Sequence, residues 1–407
     1  MNKNKRSMVS PEVVLKYFLR FAKRPWIGAK LAKLQCEKWL FNHLYPNFKE
    51  GRANKIRRVS LRLTDMCNLR CTMCGQWGEN GYLLKKDLKT LKAQEIPYQR
   101  YIELFQDLSR HGHHPLVYFW GGEPMLYPGI LELIETCTAM KLPVSIATNG
   151  SRIASSAARI VAAPMFLLQV SVDGYDAASH NSIRRSSGAG GDSFSTITAA
   201  LDAVREEKLI KKTDLPLVAS LTTISQNNYR HLTDIYEAMR RRVDVCVFYL
   251  SWWIDEPAAA AHEQDFERRF GFKPRLHWGW VGSWKPDDYQ LLNEQLAKLR
   301  QMSRAWGSPP VVIIPDIRGA DDLKTYYTDH SERFGYSQCV SIYQAIEVNS
   351  NGDVSPCRDY LDYVVGNIKD ATFTELWNSP DYVRFRKSIA SEGLMPVCSR
   401  CCGLMGE

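Results

Sequence analysis

The chain has 407 residues, 45% of them hydrophobic and 24% charged, with a formal net charge of +9; this is a globular composition with room for two or three domains. Apolar runs are short, Met165–Val170 being typical, which excludes a transmembrane helix. No apolar core followed by a small-residue cleavage site opens the sequence, so the eleven cysteines are expected in a reducing cytoplasm, serving metal rather than disulfides.

Residues 1–58 hold fifteen of the 53 Lys/Arg and three of the 44 Asp/Glu, so this segment is strongly basic and the remainder slightly acidic. Nucleic-acid binding along the whole chain is therefore not expected. Residues 11–45 predict two helices broken at Pro25. Val14, Leu15, Phe18, Leu19 and Phe21 share one apolar face; Ile27, Leu31, Leu34, Trp39 and Leu40 share the next, with Lys/Arg interleaved. Such faces suit packing on the following domain with lysines in solvent, the reading preferred here. They also suit peripheral contact of residues 11–45 with an anionic membrane.

From Val59 the texture alternates between strand and helix. Strands are predicted at 59–63, 116–120, 143–147, 166–172, 217–223 and 244–250, with helices near 98–110, 128–140, 153–162, 194–208 and 228–241. Short Val/Ile/Leu/Phe-rich strands between helices predict an α/β fold with a parallel sheet. Six such units fit a partial (β/α)6 barrel whose site lies at the C-terminal strand ends.

The loop after the first strand carries Cys67, Cys71 and Cys74 within eight residues. Three thiolates can hold three corners of an iron–sulfur cube, and with no fourth cysteine nearby one iron stays open to a small molecule. A disulfide fits an odd, crowded trio poorly, and zinc wants four ligands or three plus water. Gly121-Gly122-Glu123-Pro124 closes the second strand. Its glycines would let backbone approach a ligand, and its carboxylate could accept an ammonium. The next two strands end in Asn149-Gly150 and in Ser171-Val172-Asp173-Gly174, which read alone as turns. Arg184 reads as a surface arginine or a site residue, and the Gly/Ser run 186–191 as a flexible loop. After the sixth strand come helices near 256–270 and 287–303, and five of the eleven tryptophans fall between 252 and 284. They suit either a satellite core or substrate stacking, and His277 among them is expected to be a satisfied histidine.

Cys339 then precedes a hairpin, Ala345–Asn349 and Asp353–Pro356, which ends at Cys357. Cys398, Cys401 and Cys402 close the chain. Four thiolates, Cys339, Cys357, Cys398 and Cys401, would complete a closed cluster or a four-cysteine zinc site. Cys402 could replace Cys401 or be spare. Cys36, Cys137 and Cys246 read as buried small apolar residues.

The spacing of Cys67, Cys71 and Cys74 after a strand, followed one strand later by Gly-Gly-Glu-Pro, resembles the signature of the radical S-adenosylmethionine (SAM) superfamily. The C-terminal cysteine pattern, with Gly366-Asn367-Ile368 and Leu376-Trp377, resembles the SPASM/twitch extension, in its shorter one-cluster form. The resemblance implies four parts: a helical segment 1–56, a partial barrel 57–255, a Trp-rich insert 256–336 and a small α+β auxiliary-cluster domain 337–407. It implies a [4Fe-4S] cluster on Cys67, Cys71 and Cys74, one auxiliary [4Fe-4S] cluster, and SAM bound at Met73, Gly121, Gly122, Glu123, Pro124, Asn149, Ser171, Asp173 and Arg184. By this resemblance, Met73 backbone faces adenine, Gly-Gly-Glu the SAM amino group, and Arg184 the SAM carboxylate. The implied reaction is reductive cleavage of SAM to a 5′-deoxyadenosyl radical that takes hydrogen from substrate, with flavodoxin or ferredoxin as electron donor. Oxidation or epimerisation of a carbohydrate, natural product or lipid-linked molecule is the preferred reading. Maturation of a ribosomally made peptide is the alternative, and a non-catalytic iron–sulfur or zinc protein the second.

Overall fold

The computed structural model describes residues 50–188 and 191–405; the predicted helices at 11–45, with Cys36, lie outside the described residues. Twelve strands are present among the described residues: β1 Arg58–Arg62, β2 Leu69–Cys71, β3 Leu116–Trp120, β4 Val144–Thr148, β5 Leu167–Ser171, β6 Arg184–Ser186, β7 Leu217–Ile224, β8 Val245–Leu250, β9 Val311–Ile314, β10 Ala345–Val348, β11 Asp353–Ser355 and β12 Gly366–Asn367. Ten of them form one sheet in the order β12-β11-β10-β1-β3-β4-β5-β7-β8-β9. The pairs from β10 through β1 to β9 are all parallel, and within this sheet the pairs β10–β11 and β11–β12 are antiparallel.

The six expected barrel strands occupy β1, β3, β4, β5, β7 and β8. Their alternation explains the layering. Val59, Leu61, Val117, Phe119, Val144, Ile146, Leu168 and Val170 are buried in one core with helices such as Tyr98–Arg110 and Ile130–Ala139. Residues of the opposite parity, Ser60, Arg62, Tyr118, Trp120, Gln169 and Ser171, face the barrel interior. One register row runs Glu347, Ser60, Tyr118, Ser145 across four strands.

Two features depart from the sequence reading. First, β9, inside the segment 256–336, adds a further parallel strand beside β8. It is only four residues long and is flanked by Pro310 and Pro315, which read as loop punctuation. Second, the C-terminal hairpin does not stand apart from the barrel: β10 pairs with β1 in parallel and so extends its sheet. The insert helices Glu256–Phe270 and Tyr289–Met302 start where Asp255 and Asp288 cap them, each carboxylate accepting a backbone N–H from the first turn. Among the described residues no helix is long and apolar enough to cross a membrane.

Candidate active site

Parallel strands send all their following loops to one end of the sheet. A cavity of about 280 Å³ lies there, lined by the Cys67, Cys71 and Cys74 thiols together with residues from the loops after β3, β4, β5, β7 and β8. The cysteine loop is locally shaped by N–H···S bonds, from Leu69 to Cys67 and from Trp77 to Cys74, each 3.4 Å. Burial pushes the Cys67 thiol up to about 11 and the Cys71 thiol up to about 12. Thiolates in such a place need a cation beside them. Among the described residues no three His, Cys, Asp or Glu side chains converge on a single ion.

Arg184 reaches this loop through a two-stranded ribbon. β2 and β6 pair antiparallel, and the register sets Cys71 directly opposite Arg184. The guanidinium lies 3.8 Å from the Cys71 sulfur and 2.6 Å from the buried Asp173 carboxylate. Burial works against its charge, but Asp173 and the neighbouring thiols outweigh it and raise its pKa. Asp173 is fixed in turn by the N–H of Thr223 at 2.7 Å. It is fully buried and does not line the cavity; Arg184 does.

Glu123 ties neighbouring loops together. Its carboxylate accepts the Thr148 hydroxyl at 2.6 Å and the N–H groups of Asn149 at 2.7 Å and Met125 at 3.0 Å. Those three bonds join the β3 and β4 loops, and burial raises the carboxyl pKa. Asn149 continues the tie, donating to Asn68 of the cysteine loop at 2.8 Å. Pro124 is buried at the start of a short 3-10 turn and does not line the cavity. Met73, Gly121, Gly122, Glu123, Asn149 and Ser171 do.

The two glycines admit protein backbone close to the strand end. The N–H groups of Gly122 and Glu123 donate to Thr64 and Met66 carbonyls, both at 2.8 Å. A Cβ on Gly122 would stand 2.3 Å from the Met66 carbonyl oxygen. Gly122→Ala is therefore expected to push the cysteine loop off this strand end, lowering front-cluster iron after anaerobic reconstitution several-fold. Unchanged iron content and SAM cleavage would contradict that account.

The tryptophan segment divides. Trp252, Trp280 and Trp284 line the cavity beside Tyr118 and Trp120. Trp253 is core and stacks on His330, while Trp278 is exposed. Trp280 lies directly on the cysteine loop: a Cβ on Gly75 would be 2.7 Å from its ring. His277 is fully buried against His262, with ring centroids 4.9 Å apart, and burial lowers its pKa. Tyr118, Thr148 and Asn68 carried no sequence signal of a site; Gly75, adjacent to Cys74, hinted at one.

At the other cysteine set, Cys357 has Cys398 and Cys339 as electrostatic neighbours, and Cys401 has Cys357, Cys402 and Cys398. Burial pushes Cys398 up to about 12. Cys402 turns elsewhere. Its sulfur lies 3.1 Å from Asp359, which also accepts the Cys402 N–H at 3.1 Å.

Comparison with known proteins gives two domain matches: residues 61–239 match the radical SAM superfamily, and residues 339–402 match SPASM, an iron–sulfur cluster-binding domain. The chain is 24% identical over 351 residues to the AdoMet-dependent heme synthase of Methanosarcina barkeri, covering 86% of this chain and 89% of that protein. It is 24% identical over 347 residues to the cysteine-type anaerobic sulfatase-maturating enzyme of Clostridium perfringens, covering 82% and 83%. The fold is similar to Streptococcus suis SuiB bound to S-adenosylmethionine, with a TM-score of 0.57 and 14% identity, over 99% of this chain and 91% of that one.

Proposed function

We propose that this chain, a radical SAM protein with a C-terminal SPASM domain, abstracts hydrogen from a small cyclic molecule held against tryptophan faces beside its cluster loop. Cys67, Cys71 and Cys74 would hold the SAM-binding [4Fe-4S] cluster, and Cys339, Cys357, Cys398 and Cys401 an auxiliary one. With these groups bound, the front site supplies one-electron cleavage of SAM and hydrogen-atom abstraction; a flavodoxin or ferredoxin would deliver the electron.

The chain's own residues do the positioning. Arg184, kept charged by Asp173, presents a cation at the cavity wall for a SAM carboxylate. Glu123 and Asn149 lock three loops together, so the open iron and the substrate carbon keep one spacing. Trp280, packed over Gly75, offers its ring to substrate beside the cysteine loop.

The observation that carries the substrate reading is the convergence of Trp252, Trp280 and Trp284 on the cavity of the cysteine trio. Indole faces suit sugars, rings and flat natural products. Similarity to a heme synthase over 86% of the chain supports a small cyclic substrate. A second reading, modification of a peptide or protein side chain, is supported by similarity to a sulfatase-maturating enzyme over 82% of the chain.

The test is anaerobic turnover with dithionite and substrates deuterated at the candidate carbon. Deuterium is expected in 5′-deoxyadenosine with a cyclic small molecule. Trp280→Ala should lose that transfer roughly tenfold or more while keeping substrate-free SAM cleavage. Deuterium transfer from peptides alone would overturn the small-molecule reading.

A further inference from the structure

Opposite the cavity, at the N-terminal strand ends, the three most exposed large hydrophobic side chains of the described residues occur together on one rim. Trp306 is 96% exposed, Leu209 72% and Ile210 63%. Leu209 and Ile210 end the helix Ser193–Ile210 before β7, and Trp306 lies in the turn between the helix Tyr289–Met302 and β9. The loop 240–244 before β8 sits between them. Its Asp244 lies 3.4 Å from Lys208 on one side, and on the other the helix that leads into it, Leu232–Met239, donates the Tyr236 hydroxyl to the Pro309 carbonyl at 3.0 Å. The three turns therefore form one continuous arc.

The arc is basic as well as apolar. Residues 208–214, 240–244 and 303–310 hold seven Lys/Arg against two Asp. Lys211, Lys212 and Arg241 are exposed on it. The described chain also begins at this end, since residues 50–57 lead into the start of β1. The preceding residues 1–49 hold eleven Lys/Arg against two Glu. Isolated exposed apolar side chains are ordinary. An indole and two aliphatic side chains interleaved with lysine and arginine on one rim have the chemistry of an interfacial contact, with the apolar groups entering the headgroup layer and the cations meeting lipid phosphates.

We propose that the base of the barrel docks on an anionic lipid surface through Leu209, Ile210 and Trp306, with Lys211, Lys212 and Arg241 as its electrostatic ring. The cavity at the opposite end of the sheet then faces away from the lipid and stays open to substrate and electron donor.

The test is co-sedimentation of the full chain with vesicles of phosphatidylglycerol and phosphatidylcholine (3:7) and with pure phosphatidylcholine. Wild type is expected to sediment with the anionic vesicles, less so as salt rises. Leu209→Glu/Ile210→Glu/Trp306→Ala, all exposed positions far from the cluster loops, should lower partition roughly tenfold or more. Trp306→Ala alone should lower it by a smaller factor in the same direction. Wild-type partition in the triple variant would overturn the proposal and leave residues 1–49 as the membrane contact. Absence of wild-type binding would overturn it too. So would a lipid-free dimer that the triple variant dissolves, which would make the arc an interface between copies.

Discussion

Cys71→Ala is expected to abolish reductive SAM cleavage while leaving the C-terminal cluster intact. The argument rests on where the residue sits. Cys71 is the thiol of the trio placed across the β2–β6 ribbon from Arg184, with its sulfur 3.8 Å from the guanidinium. A cube held by three side chains has none to spare, and losing one exposes a second iron to water. Outer-shell losses at metal sites cost ten- to a hundredfold; loss of a ligand should cost at least about a hundredfold in 5′-deoxyadenosine formation. Iron and sulfide should fall by one cluster's worth per chain. The reciprocal variants separate the second site. Cys401→Ser should lose the auxiliary signal in electron paramagnetic resonance, whereas Cys402→Ser should keep it, because the Cys402 sulfur is engaged by Asp359 at 3.1 Å. Retained SAM cleavage in the anaerobically reconstituted Cys71 variant would refute the front assignment. A lost auxiliary signal in Cys402→Ser, but not in Cys401→Ser, would exchange the two cysteines.

The parts of this molecule legible in the sequence are those whose pattern is local. β1, β3, β4, β5, β7 and β8 announce themselves as short Val/Ile/Leu/Phe runs because both faces of a parallel strand are covered. The cysteine trio is legible because three ligands to one group must lie close in the chain. What escaped depends on pairing at a distance. β2 and β6 are three residues each and exist only as partners of one another, 113 residues apart at Cys71 and Arg184. Without that ribbon, Arg184 could not be told from a surface arginine, and Asp173 could not be recognised as its counter-ion. The ties of Glu123 were hidden for a related reason. A carboxylate after two glycines looks available, and nothing in its neighbours reveals that Thr148 and Asn149, a strand away, engage it. The tryptophans are the mixed case. Their clustering was visible, but stacking and core roles alternate within it, and only the fold separates Trp280 on Gly75 from Trp253 on His330.

The pairing of β10 with β1 also makes the C-terminal hairpin a support for the front site. Its turn meets the cysteine loop at two buried contacts. The Ser350 hydroxyl donates to Asp65 at 2.7 Å, and Arg62 donates to the Asn349 side chain at 3.0 Å. Arg62 and Asp65 lie 3.4 Å apart, Arg62 also bonds the Tyr82 hydroxyl, and the Trp77 indole donates to the Asp65 carbonyl at 2.7 Å. Arg62 and Asp65 are each about 95% buried, so neither charge has water to fall back on. Asp65→Ala leaves a buried guanidinium without its carboxylate, which costs about 3–5 kcal/mol in comparable buried pairs. Ser350→Ala forfeits one hydrogen bond and should cost about 1–3 kcal/mol. Because both act on the stretch that leads to Cys67, front-cluster iron and SAM cleavage are expected to fall before the auxiliary signal does. A double-mutant cycle between the two should show coupling of at least about 0.5 kcal/mol in chemical unfolding. Strict additivity, or loss of both clusters in parallel, would reduce the hairpin to an appendage that merely shares the sheet.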